Sequence, residues 1–257
     1  MDRLNYQFEK LAIALQFFSR IPLPKSVTEN IGAESNLAES AHLFSVVGLL
    51  LAIIPAFVWY VSTNWFAPSI AAGFAIAAGM LLTGGLHEDG LADCADGLGG
   101  GNTRARALKI MKDSRIGTYG AAAMIFSIGI RWAALASLSP YAGIFALLIA
   151  HAVSRATMTL AIKYSTYVRA EGIGKSVSSG IPTEQFTLTL ATAFIIALLL
   201  GGGCGVFAGV IGFLIAGAML LFLEKRLNGY TGDGLGAMEQ LSEITILVIL
   251  SACWAVA

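Results

Sequence analysis

The sequence predicts an all-α integral membrane protein: a bundle of about seven transmembrane helices with an N-terminal amphipathic helix and Gly-rich cytoplasmic loops. Three observations predict it. Of the 257 residues, 56% are hydrophobic and 12% charged, with a mean hydropathy of +0.75, whereas soluble domains carry roughly 25% charged residues. Seven apolar runs reach or approach the length of about 20 residues that spans a bilayer. The charges, finally, fall almost entirely on alternate connections between those runs. The same composition excludes a disordered chain, a disulfide-stapled secreted fold and a nucleic-acid module. Sixteen basic and sixteen acidic residues cancel, so no polyanionic partner is implied. Cys94, Cys204 and Cys253 are far apart and odd in number, and read as small apolar packing residues.

The expected elements run in order. Residues 4–24 carry Glu9, Lys10, Gln16 and Arg20 among Phe8, Leu11, Leu15 and Phe18, a pattern suited to an interfacial amphipathic helix rather than a span. No secretory signal is expected there, because a positive start, an unbroken apolar run and a small-residue cleavage site do not follow in order. Residues 26–40 form a polar connector. Spans are expected near 43–61, 69–86, 117–136, 140–162, 186–203, 205–223 and 241–257. Those at 69–86, 117–136 and 205–223 are rich in Gly and Ala, which lets helix backbones approach closely in lipid. The whole of 1–257 reads as one membrane domain, with 1–42 as its N-terminal attachment and 43–257 as the bundle. Residues 87–116 and 224–240 are its active-site loops.

Charge sets the expected orientation. With the amino terminus inside, every charged residue except Arg131, Arg155 and Glu243 lies in 1–42, 87–116, 163–185 or 224–240. Lys and Arg mark the cytoplasmic side, so the active site is expected to face the cytoplasm and the carboxyl terminus the outside.

The densest chemical constellation is 83–102, TGGLHEDGLADCADGLGGGN. On a helix, Asp89, Asp93 and Asp96 share a face, and like charges stacked in that way need a cation. Glu88 adds a fourth acid. Carboxylate oxygens suit Mg2+, which takes one or two carboxylates plus substrate phosphates. A solvated acidic loop mouth is the plainer reading, and the surrounding glycines, which admit close ligand approach, argue against it. Arg104, Arg106, Lys109, Lys112 and Arg115 follow directly. They either set topology or hold non-reacting phosphate oxygens. In 227–243, Asp233-Gly-Leu echoes Asp89-Gly-Leu, and Glu239 and Glu243 lie one turn apart. This suggests a composite metal site of Glu88, Asp89, Asp93, Asp96, Asp233 and Glu239, with capping of the last helix as the alternative for Asp233. His87 is a general base or a helix-end hydrogen bonder. Arg155, four residues after His151, contacts substrate or closes an internal salt bridge. Arg131 is expected to snorkel at the outer end of its span.

Residues 83–120, with GGLHEDGLADCADGLGGG followed by IMKDSRIGTYG, resemble the cobalamin synthase (adenosylcobinamide-GDP ribazoletransferase) family. FFSRIPLP at 17–24 and NGYTGDGLGAMEQLSE at 228–243 extend the resemblance over nearly the whole chain. The resemblance implies a Mg2+-dependent enzyme of the bacterial inner membrane, with Mn2+ able to substitute. Its reaction couples α-ribazole, or its 5′-phosphate, to adenosylcobinamide-GDP through the ribazole 3′-hydroxyl. GMP leaves, and adenosylcobalamin or its 5′-phosphate forms. His87, Asp89 and Asp93 are then the expected catalytic residues, and Arg104, Lys109, Lys112, Arg115 and Arg155 the substrate-binding set. The small-molecule substrates and the lipid bilayer are the expected partners, with homo-oligomerisation left open. Three alternatives stand beside this. A CDP-alcohol phosphotransferase would use Gly85, Asp89 and Asp93 but lacks its upstream D-G-x2-A-R portion. An intramembrane prenyltransferase would hold diphosphate through Asp-rich motifs. A cation transporter would want its acids nearer mid-membrane.

Overall fold

A computed structural model describes residues 3–23, 37–169 and 173–254. Helix α1 is Arg3–Phe18, and a 3-10 turn at Leu37–Leu43 leads into α2, Phe44–Ser62. Then follow α3 (Pro68–Thr83), α4 (Leu86–Gly100), α5 (Arg104–Ile110), α6 (Thr118–Ala136) and α7 (Pro140–Tyr164). A second 3-10 turn, Ile173–Val177, precedes α8 (Thr183–Leu227) and α9 (Gly232–Trp254). Among the described residues the only strand-like pairing is one bridge between Tyr167 and Tyr230. The fold is all-α, and its long apolar helices make it an integral membrane protein. The connector at 26–40 is described only from Leu37 onward.

Amphipathic periodicity explains α1. Its Ile13, Ala14 and Phe18 enter the bundle core while Phe8 stays 67% exposed. The helix is fastened by Lys10, whose ammonium lies 2.6 Å from the Glu39 carboxylate. The tail beyond it is held by the Arg20 N–H, which donates to the Leu82 carbonyl at 2.8 Å.

Five helices are individually long and apolar enough to cross a bilayer: α2 with its preceding turn, α6, α7, α8 and α9. Close packing uses small residues, as lipid-embedded helices require. Gly48 of α2 lies directly on the His151 carbonyl of α7, and Gly143 of α7 on the Trp59 ring. Trp59 also donates its indole N–H to the Pro140 carbonyl at 2.9 Å. Helix α7 is the central post, with 78% of its apolar window buried. It opens with Ser139 as cap and Pro140 in the first turn, the usual pairing of a side-chain acceptor with a residue that has no N–H to satisfy.

Residues 87–116 are largely helical, with α4 and α5 occupying most of them. Two expectations need correction. The last helix starts at Gly232 and not near 241, because α8 continues to Leu227 and leaves only a tight turn at 228–231. The expected break at 204 falls instead at Gly202, with φ 55 and ψ −142. There the chain doubles back: Phe194 stacks on Phe213 with centroids 5.5 Å apart, and Gly205 lies against the Ala197 carbonyl. The two arms of α8 are therefore an antiparallel hairpin.

Gly202 has open space around its Cβ position, so only its backbone angles forbid a side chain. Gly202→Ala should cost about 1–3 kcal/mol, read as a lower Tm in detergent. Gly203→Ala, also in open space but helical, should be neutral or stabilising by up to about 1 kcal/mol.

Candidate active site

The site is assembled by a bend and a crossing. Gly84 and Gly85 both adopt left-handed angles, φ 72 and φ 71, and turn α4 by 88° from α3. Only glycine takes such angles without strain. At Gly84 a Cβ would also collide with the Arg20 guanidinium. Helix α4, polar and sharply turned, leaves the membrane-spanning direction and lies against α9. There Gly90 meets Gly236. A Cβ on Gly90 would stand 2.9 Å from the Asp233 carbonyl oxygen and 3.2 Å from the Gly236 Cα. This backbone-on-backbone contact sets Asp233 beside Asp89 and Asp93, which share one face of α4 a turn apart.

Asp89 is exposed, whereas Asp93 and Asp233 are half-buried. Burial, followed by repulsion from Asp233 and Asp89, pushes the Asp93 carboxyl up to about 7. The only cation paired with any of the three acids among the described residues is Arg169, whose guanidinium lies 2.6 Å from the Asp233 carboxylate. Asp233 is not the helix cap. That role belongs to Thr231, whose hydroxyl accepts from the Gly234 N–H at 3.0 Å. Beside Arg169 opens a cavity of about 190 Å³, lined by Phe17, His87, Asp89, Tyr167, Arg169 and Asp233 among others. Three carboxylates against one guanidinium are a donor set that suits a hard divalent cation. Among the described residues they do not close into a ready-made cage, as is usual for an ion that keeps waters and shares phosphate oxygens.

The other expected ligands are engaged elsewhere. Asp96 is buried and accepts from the Gly117 N–H at 2.7 Å and the Gly120 N–H at 2.8 Å, so it binds the amino end of α6 to α4. Glu88 and Glu239 belong to a buried ion-pair network. Arg131 lies 2.9 Å from Glu88 and 2.9 Å from Glu243, and His151 lies 3.0 Å from Glu243. Arg155 lies 3.0 Å from Glu239, to which Ser154 donates at 2.9 Å. Arg131 is thus 4% exposed and does not snorkel, because two carboxylates from α4 and α9 hold it inside. Arg155 takes the internal-salt-bridge alternative, over the Phe18 ring at 5.8 Å. His87 is buried with Nδ1 3.7 Å from Glu239, and its Nε2 has no hydrogen-bond partner among the described residues.

The basic stretch divides too. Arg104 donates to the Leu227 carbonyl at 2.6 Å and so ends α8, while Arg226 reciprocates on the Leu98 and Gly101 carbonyls at the end of α4. Arg115 pairs with Asp113 at 2.6 Å, which holds the Asp113 carboxyl down at about 2. Lys109 and Lys112 are exposed. Sequence reasoning missed Arg169. Its position follows from the bridge in which the Val168 N–H donates to the Tyr230 carbonyl at 3.0 Å and the Tyr230 N–H to the Thr166 carbonyl at 2.9 Å. Only the charge of Arg169, in an otherwise unremarked connector, could have signalled it.

Fold and site together define an all-α membrane protein with an acidic, phosphate-sized cavity at one end of its bundle. The chain belongs to the Cobalamin-5-phosphate synthase family, whose model matches residues 10–251. It is 39% identical over 263 residues to the adenosylcobinamide-GDP ribazoletransferase of Shewanella piezotolerans, covering 99% of this chain and 100% of that protein. The protein of the same name from Shewanella woodyi is 36% identical over 255 residues, covering 97% and 98%. That from Shewanella baltica (strain OS185) is 34% identical over 249 residues, covering 95% and 94%. No solved structure matches the chain. The resemblance read from three motifs therefore holds along the chain, and the phosphotransferase, prenyltransferase and transporter alternatives gain no support from it.

Arg131 generates a stability prediction. Arg131→Met leaves the buried Glu88 carboxylate unpaired and Glu243 with His151 alone, and breaking a buried pair from one side costs about 3–5 kcal/mol. The expected result is a large fall in Tm in detergent. The triple variant Glu88→Gln, Arg131→Met, Glu243→Gln should regain most of that loss, because the three coupled charges are removed together and His151 can stay neutral beside the amide that replaces the Glu243 carboxylate.

Proposed function

We propose that this chain is the transferase that joins α-ribazole, or its 5′-phosphate, to adenosylcobinamide-GDP in the last assembly step of cobalamin. The observation that carries this reading is full-length similarity to relatives bearing that enzyme name, in a chain of the same family. A cavity of about 190 Å³ is smaller than the roughly 300–1,000 Å³ of sites that enclose whole drug-sized ligands. It therefore suits the reacting phosphates, with the bulky substrate ends extending outside.

In this reading Asp89, Asp93 and Asp233 hold a Mg2+ ion, or Mn2+ in its place. Such an ion, when bound, neutralises charge on the phosphates as displacement proceeds. The ribazole 3′-oxygen forms a bond to the cobinamide-linked phosphorus, and the bond from that phosphorus to the bridging oxygen breaks. GMP departs with that oxygen. The hydroxyl proton passes to His87, which lines the cavity. The Glu239 carboxylate, 3.7 Å from its Nδ1, favours the imidazolium that then forms. Lys109 and Lys112 are exposed, and in this reading they steer the anionic substrate. The acidic site faces the cytoplasm of the bacterial inner membrane, supported by the absence of charge in 62–68 and 137–139.

Two outcomes test this reading. Purified protein in liposomes should release GMP from adenosylcobinamide-GDP and α-ribazole without an ion gradient, and Asp89→Asn and Asp93→Asn should each slow release by at least about 100-fold. Their Tm should be unchanged or higher, since each removes a repelling charge. Turnover near the wild-type rate in either variant would exclude the acidic face as the metal site. For orientation, a Ser137→Cys protein should react with an impermeant thiol reagent only from the periplasmic side of sealed vesicles. Labelling from the cytoplasmic side reverses the topology.

A further inference from the structure

Three arginines are paired with carboxylates inside this molecule, and one of them differs from the others. The Arg131 and Arg155 guanidiniums and their partners are at most 4% exposed, and the cavity that both arginines line has only about 20 Å³. The Arg169 and Asp233 side chains are 17% and 18% exposed and line the cavity beside Asp89. The pair is buried enough to be strong and open enough to be exchanged. Arg169 also directly follows a segment held by backbone pairing and ring packing. The Tyr167–Tyr230 bridge fixes its backbone, and the two Tyr rings pack edge to face at 5.5 Å. The guanidinium is thus delivered beside Asp233, at a cavity that Asp89 also lines and where neither Asp89 nor Asp93 has a paired cation among the described residues.

We propose that Arg169 is a phosphate-binding residue which, before substrate arrives, stands in for the cation of the acidic site. With the cavity free of ligand its guanidinium neutralises Asp233. When a diphosphate-linked nucleotide enters with its divalent cation, Asp233 turns to the cation, and the planar fork of Arg169 turns to the phosphate oxygens, for which its geometry is matched. Guanidinium and metal ion therefore compete for Asp233 until phosphate resolves the competition. No bond is made or broken in this exchange; one ion pair is replaced by two. The inference rests on the reading of Asp89, Asp93 and Asp233 as the cation site.

The test uses full-length protein in nanodiscs, with Mn2+ binding followed by the electron paramagnetic resonance of the free ion. GDP binding is measured calorimetrically at saturating Mn2+, and Tm is recorded for every variant. Arg169→Gln should bind Mn2+ at least about threefold more tightly without nucleotide, since a competing cation is gone. Its GDP affinity should fall by about 10- to 100-fold, the range for losing hydrogen bonds to a charged group. Arg169→Lys, which keeps the charge and loses the fork, should bind Mn2+ like the wild type and GDP more weakly. A purely structural pair predicts otherwise: Arg169→Gln would weaken both ligands together with a fall in Tm, and that result overturns the proposal. So does a Gln variant whose Mn2+ and GDP affinities both match the wild type while Asp89→Asn abolishes Mn2+ binding, in which case the cation site stands and only the role of Arg169 falls. If Asp89→Asn and Asp93→Asn bind Mn2+ as the wild type does, the cation site itself is wrong and the proposal falls with it.

Discussion

A guanidinium inside an apolar bundle must be neutralised, and much of this architecture follows from how that is done. Arg131 projects from α6 and takes one carboxylate from α4 and one from α9. Arg155 on α7 takes another from α9. Four helices are thereby joined through buried charge, at a desolvation cost that only well-made pairs offset. The three acids concerned, Glu88, Glu239 and Glu243, share their helices with residues of the site. Glu88 directly precedes Asp89, and α9 carries Asp233 at its start and Glu243 in its middle. Fixing the inner face of α4 against α9 therefore fixes its outer face as well.

The second constraint is backbone proximity. Gly90 and Gly236 let α4 and α9 touch without side chains between them, and Gly84 and Gly85 turn α4 until that contact is made. A helix with glycine at 90, 97, 99 and 100 has poor intrinsic propensity. Here tertiary contacts sustain it: Asp96 reaches the start of α6 and Arg226 covers the carbonyls at its end. Gly90, one of the glycines that weaken the helix, is the one that brings its acids to Asp233.

Much of this was legible in the sequence. Apolar runs announce lipid-facing helices because the bilayer dictates their length, and the boundaries of α2, α6 and α7 fall within a few residues of those runs. The four-residue spacing of Asp89 and Asp93, and the Asp-Gly-Leu echo at 233, pointed to residues that the fold does bring together. The other acids of the expected site are engaged elsewhere: Asp96 with the Gly117 and Gly120 N–H groups, Glu88 with Arg131 and Glu239 with Arg155. Glu88 carries the same charge as Asp89 beside it, and Glu239 the same charge as Asp233 earlier on its helix, but helical rotation turns both inward to arginine, and composition cannot distinguish the two faces. Arg169 was invisible for another reason: its partner lies across a tertiary bridge between two short turns, and no local periodicity marks it. The break at Gly202 rather than 204 depended on which of several adjacent glycines takes the left-handed turn.

The ion pairs also impose an order on biogenesis. Arg131 follows its first partner, Glu88, by 43 residues and precedes its second, Glu243, by 112. As the nascent chain emerges, α6 can therefore enter the bilayer with a counter-charge already synthesised. Arg155 has its carboxylate 84 residues downstream. Between the translation of α7 and that of α9, its positive charge is inside a half-built bundle without Glu239, and α8 must be made and folded back meanwhile. The final helix is in this sense the keystone: until it leaves the ribosome, the central post of the bundle carries a charge that its own acid has yet to reach.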